Sequence, residues 1–443
     1  MAGQRNGVVA GPAFPASGCW LARARVPDRL LDVPQRDALA PAAPGFRAVQ
    51  LRIQDGHITA LAAAVANDGL PVVDLADGIV TPCWVDLHTH LDKSHTATRI
   101  GRTHHALRDA VAASGEDRDR WTVDDIRRRM DFSLRTAYTQ GTRAIRTHID
   151  WVGASMPQAW PVAQALRGEW SARVELQPTS LSPLQLFAQA DAGTAIAAVL
   201  AKQGGVLGAS VHPVPGQRSL LERVFELAVA HDLDLDFHAD EHLQNDIEGL
   251  RTIARLTMRY GWEGRVACGH ACALSVAPVD ACASVLRALA DAGIVLIGLP
   301  LANLQLQDGS AGRTPRLRGI APLQEARDLG VRVGLASDNV QDAFVPFADF
   351  DLLQVLAVGA LAAHLDDPLA RWIDCIGTTP AAAMGLAWDG TLRVGAPADL
   401  VLLTGRNSFE VCGRPERRVL RGGRLIDAAL PDFRELDRPG PAN

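Results

Sequence analysis

From residue 78 to about residue 385 the chain alternates short apolar runs with longer stretches whose apolar positions recur at helical spacing. The strand candidates are "GIVTPCWVDLH", "TRAIRTHID", "RVELQPTS", "VLGASVHPV", "LDLDFHAD", "RVACGHA", "IVLIGLPLAN" and "VRVGLASDN". Between them lie amphipathic segments such as "VDDIRRRMDFSLRTAYTQG", "LLERVFELAVAHD" and "VAPVDACASVLRALADAG". Eight strands alternating with helices predict a (β/α)8 barrel, with an open doubly wound sheet as the alternative. The segment "LDKSHTATRIGRTHHALRDAVAASGEDRDR" after the first strand is unusually long, the mark of a lid or binding loop.

The flanks follow a different rhythm. "AVQLRIQDGHITALAA" reads as two strands around an Asp-Gly turn, and "GAPADLVLLTGRN" with "RRVLRGGRLID" as short strands between Gly-rich turns. Residues 19–78 and 386–430 are therefore expected to form one β-sandwich module closed by both ends of the chain. The barrel then spans 79–385, and residues 1–18 and 431–443 are expected to be flexible tails.

Composition narrows the class without naming it. With 443 residues, 48% hydrophobic and 21% charged, the chain suits a soluble globular protein of one large domain and an accessory module. The net charge of −6 offers no basis for nucleic acid or an anionic membrane as partner. Seven scattered cysteines without a CxxC pair point to reduced thiols in the cytoplasm rather than a disulfide framework or a zinc-thiolate site. No signal-peptide core and no apolar run of transmembrane length is present.

Candidate chemistry collects where a barrel would put it, at the C-terminal ends of the strands. The first strand ends in His88-Thr89-His90, whose two imidazoles share one side because side chains two apart in a strand point the same way. The fifth ends in "FHADE", with His238 and Glu241; the sixth in "CGH", with His270; the eighth in "ASDN", with Asp338 and Asn339. A single histidine of this kind is more often a satisfied core residue than a ligand. Four strand ends delivering His, Glu or Asp to one rim make a catalytic divalent metal the better reading. The fourth strand has no lysine to carry a bridging carbamate, and Lys93 and Lys202, the chain's two lysines, lie elsewhere, so one metal is expected rather than two. Held by His88, His90, His238 and Asp338, a metal would lower the pKa of a water ligand. Glu241 would then serve as proton carrier, Asp338 as acceptor of the water's proton, and His270 as a hydrogen-bond partner of the attacking oxygen. Such a set suits hydrolysis at an sp2 carbon bearing nitrogen.

The HxH, "HADE", GH and SDN elements resemble those of the amidohydrolase superfamily, and "GAPADLVLL" followed by "VLRGGRLI" is similar to its closing β module. Within it the chain most resembles bacterial cytosine deaminase, through "HTHLD", "AIRTHID", "ELQ", "HADE", "PLANLQLQ", "RGIAPLQE" and "DNVQDAFVPF" in that order. The resemblance implies one iron(II) or zinc ion, a small aminoheterocycle as substrate, and assembly into homo-oligomers. It places Gln177 against the polar edge of a pyrimidine ring and Phe344 where the family has a tryptophan wall. His148 and His212 match family histidines at strand ends. Asn339 departs from the family, which commonly has a second acid there, and so bears on the substrate rather than the reaction.

The first expectation is an aminohydrolase of cytosine or a related aminopyrimidine. The alternatives are another aminoheterocycle (an s-triazine such as N-isopropylammelide, isoguanine, a pterin) and, from a different class, a non-catalytic barrel scaffold. The scaffold reading requires a lost ligand or proton carrier, and all six positions are filled.

Overall fold

The computed structural model describes residues 14–15, 18–310 and 312–437. The chain divides into two compact units, residues 1–83 with 391–427 and residues 84–390 with 428–443.

The second unit is a (β/α)8 barrel. Its strands are β1 (Trp84–Thr89), β2 (Thr142–Asp150), β3 (Glu175–Pro183), β4 (Val206–Val211), β5 (Leu235–Ala239), β6 (Val266–His270), β7 (Val295–Gly298) and β8 (Arg332–Leu335). They pair in parallel in chain order from β1 to β8. All six residues of β1 and all five of β5 and β6 are buried, as expected of parallel strands covered on both faces. Val85, Leu87, Ala144, Ala267, Val295 and Ile297 form an apolar cluster capped by Ala381, Met384 and Trp388.

The helices follow from local sequence. In Val123–Gln140, Thr122 caps the start by accepting from the Asp125 N–H, and Ile126, Met130, Leu134 and Ala137 form the buried stripe. Gly141, at φ 104°, ends it in a conformation that glycine takes without steric cost. The Gly141 carbonyl then accepts the Trp84 N–H, tying the start of β1 to the chain entering β2.

Closure between β8 and β1 lies just beyond the regular strands. The Asp338 N–H donates to the His88 carbonyl at 2.8 Å, and the Thr89 hydroxyl to the Asp338 carbonyl at 2.7 Å. Below them buried Asp86 accepts from the Ser337 N–H at 3.1 Å and the Ser337 hydroxyl at 2.5 Å. Burial, partly offset by these bonds, pushes the Asp86 carboxyl up to about 6.

Some expectations change. "GIVTPCWVDLH" is two strands: Ile79–Pro82 pairs antiparallel with Leu400–Leu403 in the first unit, and β1 starts at Trp84. Pro82 supplies no N–H to continue a ladder, and the sheet changes there. "PLAN" is the start of the helix Pro300–Leu306, with Pro300 in its first turn. The first unit is one hydrogen-bonded nine-stranded sheet, in the order Arg424–Leu425, Arg417–Arg421, Leu400–Leu403, Ile79–Pro82, Cys19–Pro27, Phe46–Gln54, Pro41–Ala43, with His57–Ala62 on Phe46–Gln54 and Val72–Asp74 on Cys19–Pro27. Of the expected tails, residues 1–13, 16–17 and 438–443 lie outside the described residues. Residues 431–437 are not a loose end: Asp432 caps the turn Phe433–Glu435, Phe433 packs on Phe132, and Glu435 pairs with Arg135 at 2.8 Å. No helix among the described residues is long and apolar enough to cross a membrane.

Gln177 requires the main correction. It sits near the start of β3, six residues before the end of the strand at Pro183, or about 20 Å at 3.3 Å per residue. Its Oε1 accepts from Arg146 Nε at 2.7 Å, and its Nε2 donates to the Met384 carbonyl at 3.3 Å. Arg146 also donates to Asp236 at 2.8 Å and to the Ala383 carbonyl at 3.0 Å. The half-buried Gln177 thus belongs to a structural network centred on buried Arg146 and Asp236. Arg146→Met would strand the Asp236 carboxylate and is expected to lower stability by about 3–5 kcal/mol. A denaturant titration would show this as a reduced midpoint at unchanged slope.

Candidate active site

The C-terminal ends of β1 and β5 and the residues after β8 meet at one buried point. His88 Nε2 lies 3.1 Å from His238 Nε2, which lies 3.2 Å from His90 Nε2. Asp338 Oδ1 is 3.1 Å from His90 Nε2 and 3.6 Å from His88 Nε2. Four ligand atoms around an ion at zinc–nitrogen distances stand about 3.3 Å apart in a tetrahedron, so the spacing fits a single cation. Neither oxygen of the buried Asp338 carboxylate has a hydrogen-bond partner among the described residues, a costly arrangement that an ion relieves. Burial, followed by the neighbouring histidines and Lys93, pushes the pKa of His88, His90 and His238 well below the ordinary value, keeping the rings neutral as ligands must be.

A second group, His88 with His148 and Asp236, also offers nearby ligand atoms. Here the Arg146 guanidinium already holds Asp236, so the charge a cation would balance is taken. His148 is buried beneath the first cluster, its ring centroid 4.0 Å from that of His88. His212 lines the cavity above.

Glu241 and His270 stand beside the four-residue cluster. Glu241 Oε1 is 3.4 Å from His270 Nδ1, and His270 Nε2 is 4.0 Å from Asp338 Oδ2. Burial, reinforced by the Asp338 charge, raises the Glu241 pKa well above the usual carboxylate range. Burial pushes His270 down to about 4, against the pull of Asp338. Asn303 Nδ2 lies 3.2 Å from His270 Nδ1 and orients the ring. His270 and Asp338 adopt φ of 69° and 60°, a left-handed conformation that histidine and aspartate enter more readily than most residues, where β6 and β8 turn into the site.

Above the cluster is a cavity of about 180 Å³. Asn339 and Phe344 line it, both set by Asp342, which accepts from Asn339 Nδ2 at 2.6 Å and from the Phe344 N–H at 2.8 Å. From β3 it is Leu181 and Pro183, not Gln177, that reach the cavity.

The sequence reading gave no role to Lys93, Asp150 or Arg118, which form one wall. Lys93 Nζ bonds Asp150 Oδ1 at 2.7 Å and lies 5.0 Å from the centre of the Phe344 ring. Arg118 Nη2 bonds the other Asp150 oxygen. Burial opposes the Asp150 charge, but Lys93 and Arg118 outweigh it and hold the carboxyl well below its ordinary value. The one available signal was a lysine next to a strand end in a chain with only two.

Residues 137–425 match the model of a family described as the amidohydrolase family. A pterin deaminase of Rhizobium rhizogenes (strain K84 / ATCC BAA-868) is 36% identical over 401 residues, covering 90% of this chain and 92% of that protein. An N-isopropylammelide isopropyl amidohydrolase of Pseudomonas sp. (strain ADP) is 25% identical, covering 80% and 87%. Among solved structures, a 5-methylcytosine deaminase from Klebsiella pneumoniae liganded with phosphonocytosine superposes with TM-score 0.78 at 23% identity, covering 93% of this chain and 98% of that one, which shows a shared fold. The family match over most of the chain and the extended identity to the Rhizobium protein agree with the strand-end cluster: this chain belongs to the amidohydrolase family.

Proposed function

We propose that the protein is a metal-dependent hydrolytic deaminase of a pterin-type aminoheterocycle, replacing the exocyclic amino group of a ring amidine by oxygen and releasing ammonia. The observation that carries the reaction is the joining of His88, His90, His238 and Asp338 in one buried cluster with Glu241 and His270 beside it. The ring choice is supported by the 36% identity to a pterin deaminase. Cytosine, the first expectation, takes second place because Gln177, its expected reader, is engaged by Arg146 and Met384 away from the cavity.

A divalent ion held by the four ligands would supply hydroxide near neutral pH. Glu241, protonated by virtue of its burial, can donate to the ring nitrogen beside the carbon under attack, so that carbon accepts the oxygen without building charge on the ring. In the resulting tetrahedral adduct the same carbon bears the new hydroxyl and the old amino group. The Asp338 carboxylate can take the hydroxyl proton and return it to the amino nitrogen, which leaves as ammonia while the carbonyl forms. His270, neutral and fixed by Asn303, stands between Glu241 and Asp338 and can donate to the developing oxyanion. The balance is one water consumed and one ammonia released, with Glu241 reprotonated by the proton that the next water would shed on becoming hydroxide.

Metal-replete protein is expected to release ammonia from pterin faster than from cytosine, read by coupled ammonia assay and ring absorbance. No turnover of any aminoheterocycle in metal-loaded protein would overturn the assignment. Glu241→Gln is expected to lower kcat by about 10²–10⁴-fold while leaving metal content unchanged. A Cβ at Gly269 would stand 3.0 Å from His88 Cε1 and 3.1 Å from Nδ1. Gly269→Ala should therefore shift His88 and weaken metal binding by about 10–100-fold in a chelator competition.

A further inference from the structure

The helix Leu107–Arg118 turns one face to the cavity, presenting Leu107, Val111, Ser114 and Arg118. These positions are four, three and four apart and so form a single stripe about 16 Å long. The stripe begins apolar and ends in a cation. Arg118 also lines a second cavity of about 400 Å³, whose walls include Trp121, Val152, Met156 and Pro157. Asp150 and Val152 border both spaces, so the two adjoin at Arg118.

At that junction the guanidinium is only partly used. Nη2 bonds Asp150, but Nε is buried and has no hydrogen-bond partner among the described residues. About a third of the Arg118 side chain is exposed, and the N–H groups it turns to the two cavities are a place for a ligand acceptor. Lys93 is committed to Asp150. Of the acids lining the first cavity, Asp150 is ionised and Glu241 is kept neutral by burial, so Lys93 and Arg118 leave the wall of that cavity net positive; Asp92, raised by burial to about 6 and holding the Asp150 N–H, borders the second cavity only.

We propose that Arg118 is a specificity-determining residue that selects rings bearing a carboxylate substituent, bound by its guanidinium where the two cavities meet. The amino-bearing end of the ring then faces Glu241, Leu107 and Val111 cover its plane, and the substituent runs toward Arg118. The planar fork of arginine matches a carboxylate better than the point charge of lysine does. This inference rests on the deaminase reading for the ring, but its test does not require turnover.

Binding of pterin and of a pterin carrying a carboxylate on the pyrazine ring would be measured by quenching of ligand fluorescence on rapid mixing with metal-replete protein, before turnover, with kcat/KM measured in parallel. The wild type should bind the carboxylated ring about tenfold or more tightly than the bare ring. Arg118→Met should reduce affinity for the carboxylated ring at least about tenfold more than for the bare ring, and Arg118→Lys, which keeps a cation for Asp150, should recover only part of the difference. Equal affinities in the wild type, or equal losses for both rings in Arg118→Met, would overturn the proposal. If both rings bind with the expected preference and neither is deaminated, the selectivity stands and the reaction assignment falls.

Discussion

The site depends on how β1 and β8 are joined. An eight-stranded parallel barrel must meet itself, and here the meeting is made by the Asp338 N–H on the His88 carbonyl and by Ser337 on Asp86. The two residues whose backbones close the barrel also carry, in their side chains, two of the four atoms that could hold a metal ion. Closing the sheet therefore sets the His88–Asp338 separation, and His90 follows from the two-residue period of the strand. His238 arrives through the unbroken ladder from β1 to β5. Backbone hydrogen bonds thus place four donors within reach of one ion, so little of the ordering cost falls on ion binding.

Above this base, loops and the helix Leu107–Arg118 line the cavity. Arg129, buried beneath the segment after β1, donates to the carbonyls of Asp92 and Ser94 and so sets the backbone on either side of Lys93. The Asp92 carboxylate accepts the Asp150 N–H at 2.9 Å, and Asp150 in turn holds Lys93 and Arg118. One chain of polar contacts thus runs from the helix Val123–Gln140 to the cavity wall. On the proposed reading, reaction and selectivity would sit on different parts of the fold, the first on strand ends and the second on loops and the helix Leu107–Arg118, as the architecture favours.

What could be read from the sequence follows the same division. His88 and His90, His238 with Glu241, His270 and Asp338 were legible because each ends an apolar run, and parallel strands deliver such ends to one rim. Gln177 misled because its role came from the resemblance alone; β3, with Pro178 and Pro183, runs on past Ser180, where the sequence seemed to end it, to Pro183, and leaves Gln177 well below the rim. A proline lacks the ladder donor, so sequence alone shortens such a strand. Lys93 and Asp150 are 57 residues apart, and only the barrel brings them together. The stripe on Leu107–Arg118 was hidden by Ser114 and Gly115, which weaken the helical pattern in a segment that read as a loop. The change of sheet at Cys83 was illegible because both halves of "GIVTPCWVDLH" are fully buried strand.

The most direct test of the account is the number and position of bound ions. Metal analysis of protein purified without chelators, together with anomalous diffraction at the metal edge, reports both. One divalent ion per chain, bonded to His88, His90, His238 and Asp338, is the result the structure predicts. An ion seated on His148 and Asp236, a second ion there, or folded protein that takes up no ion from metal-supplemented buffer would contradict it.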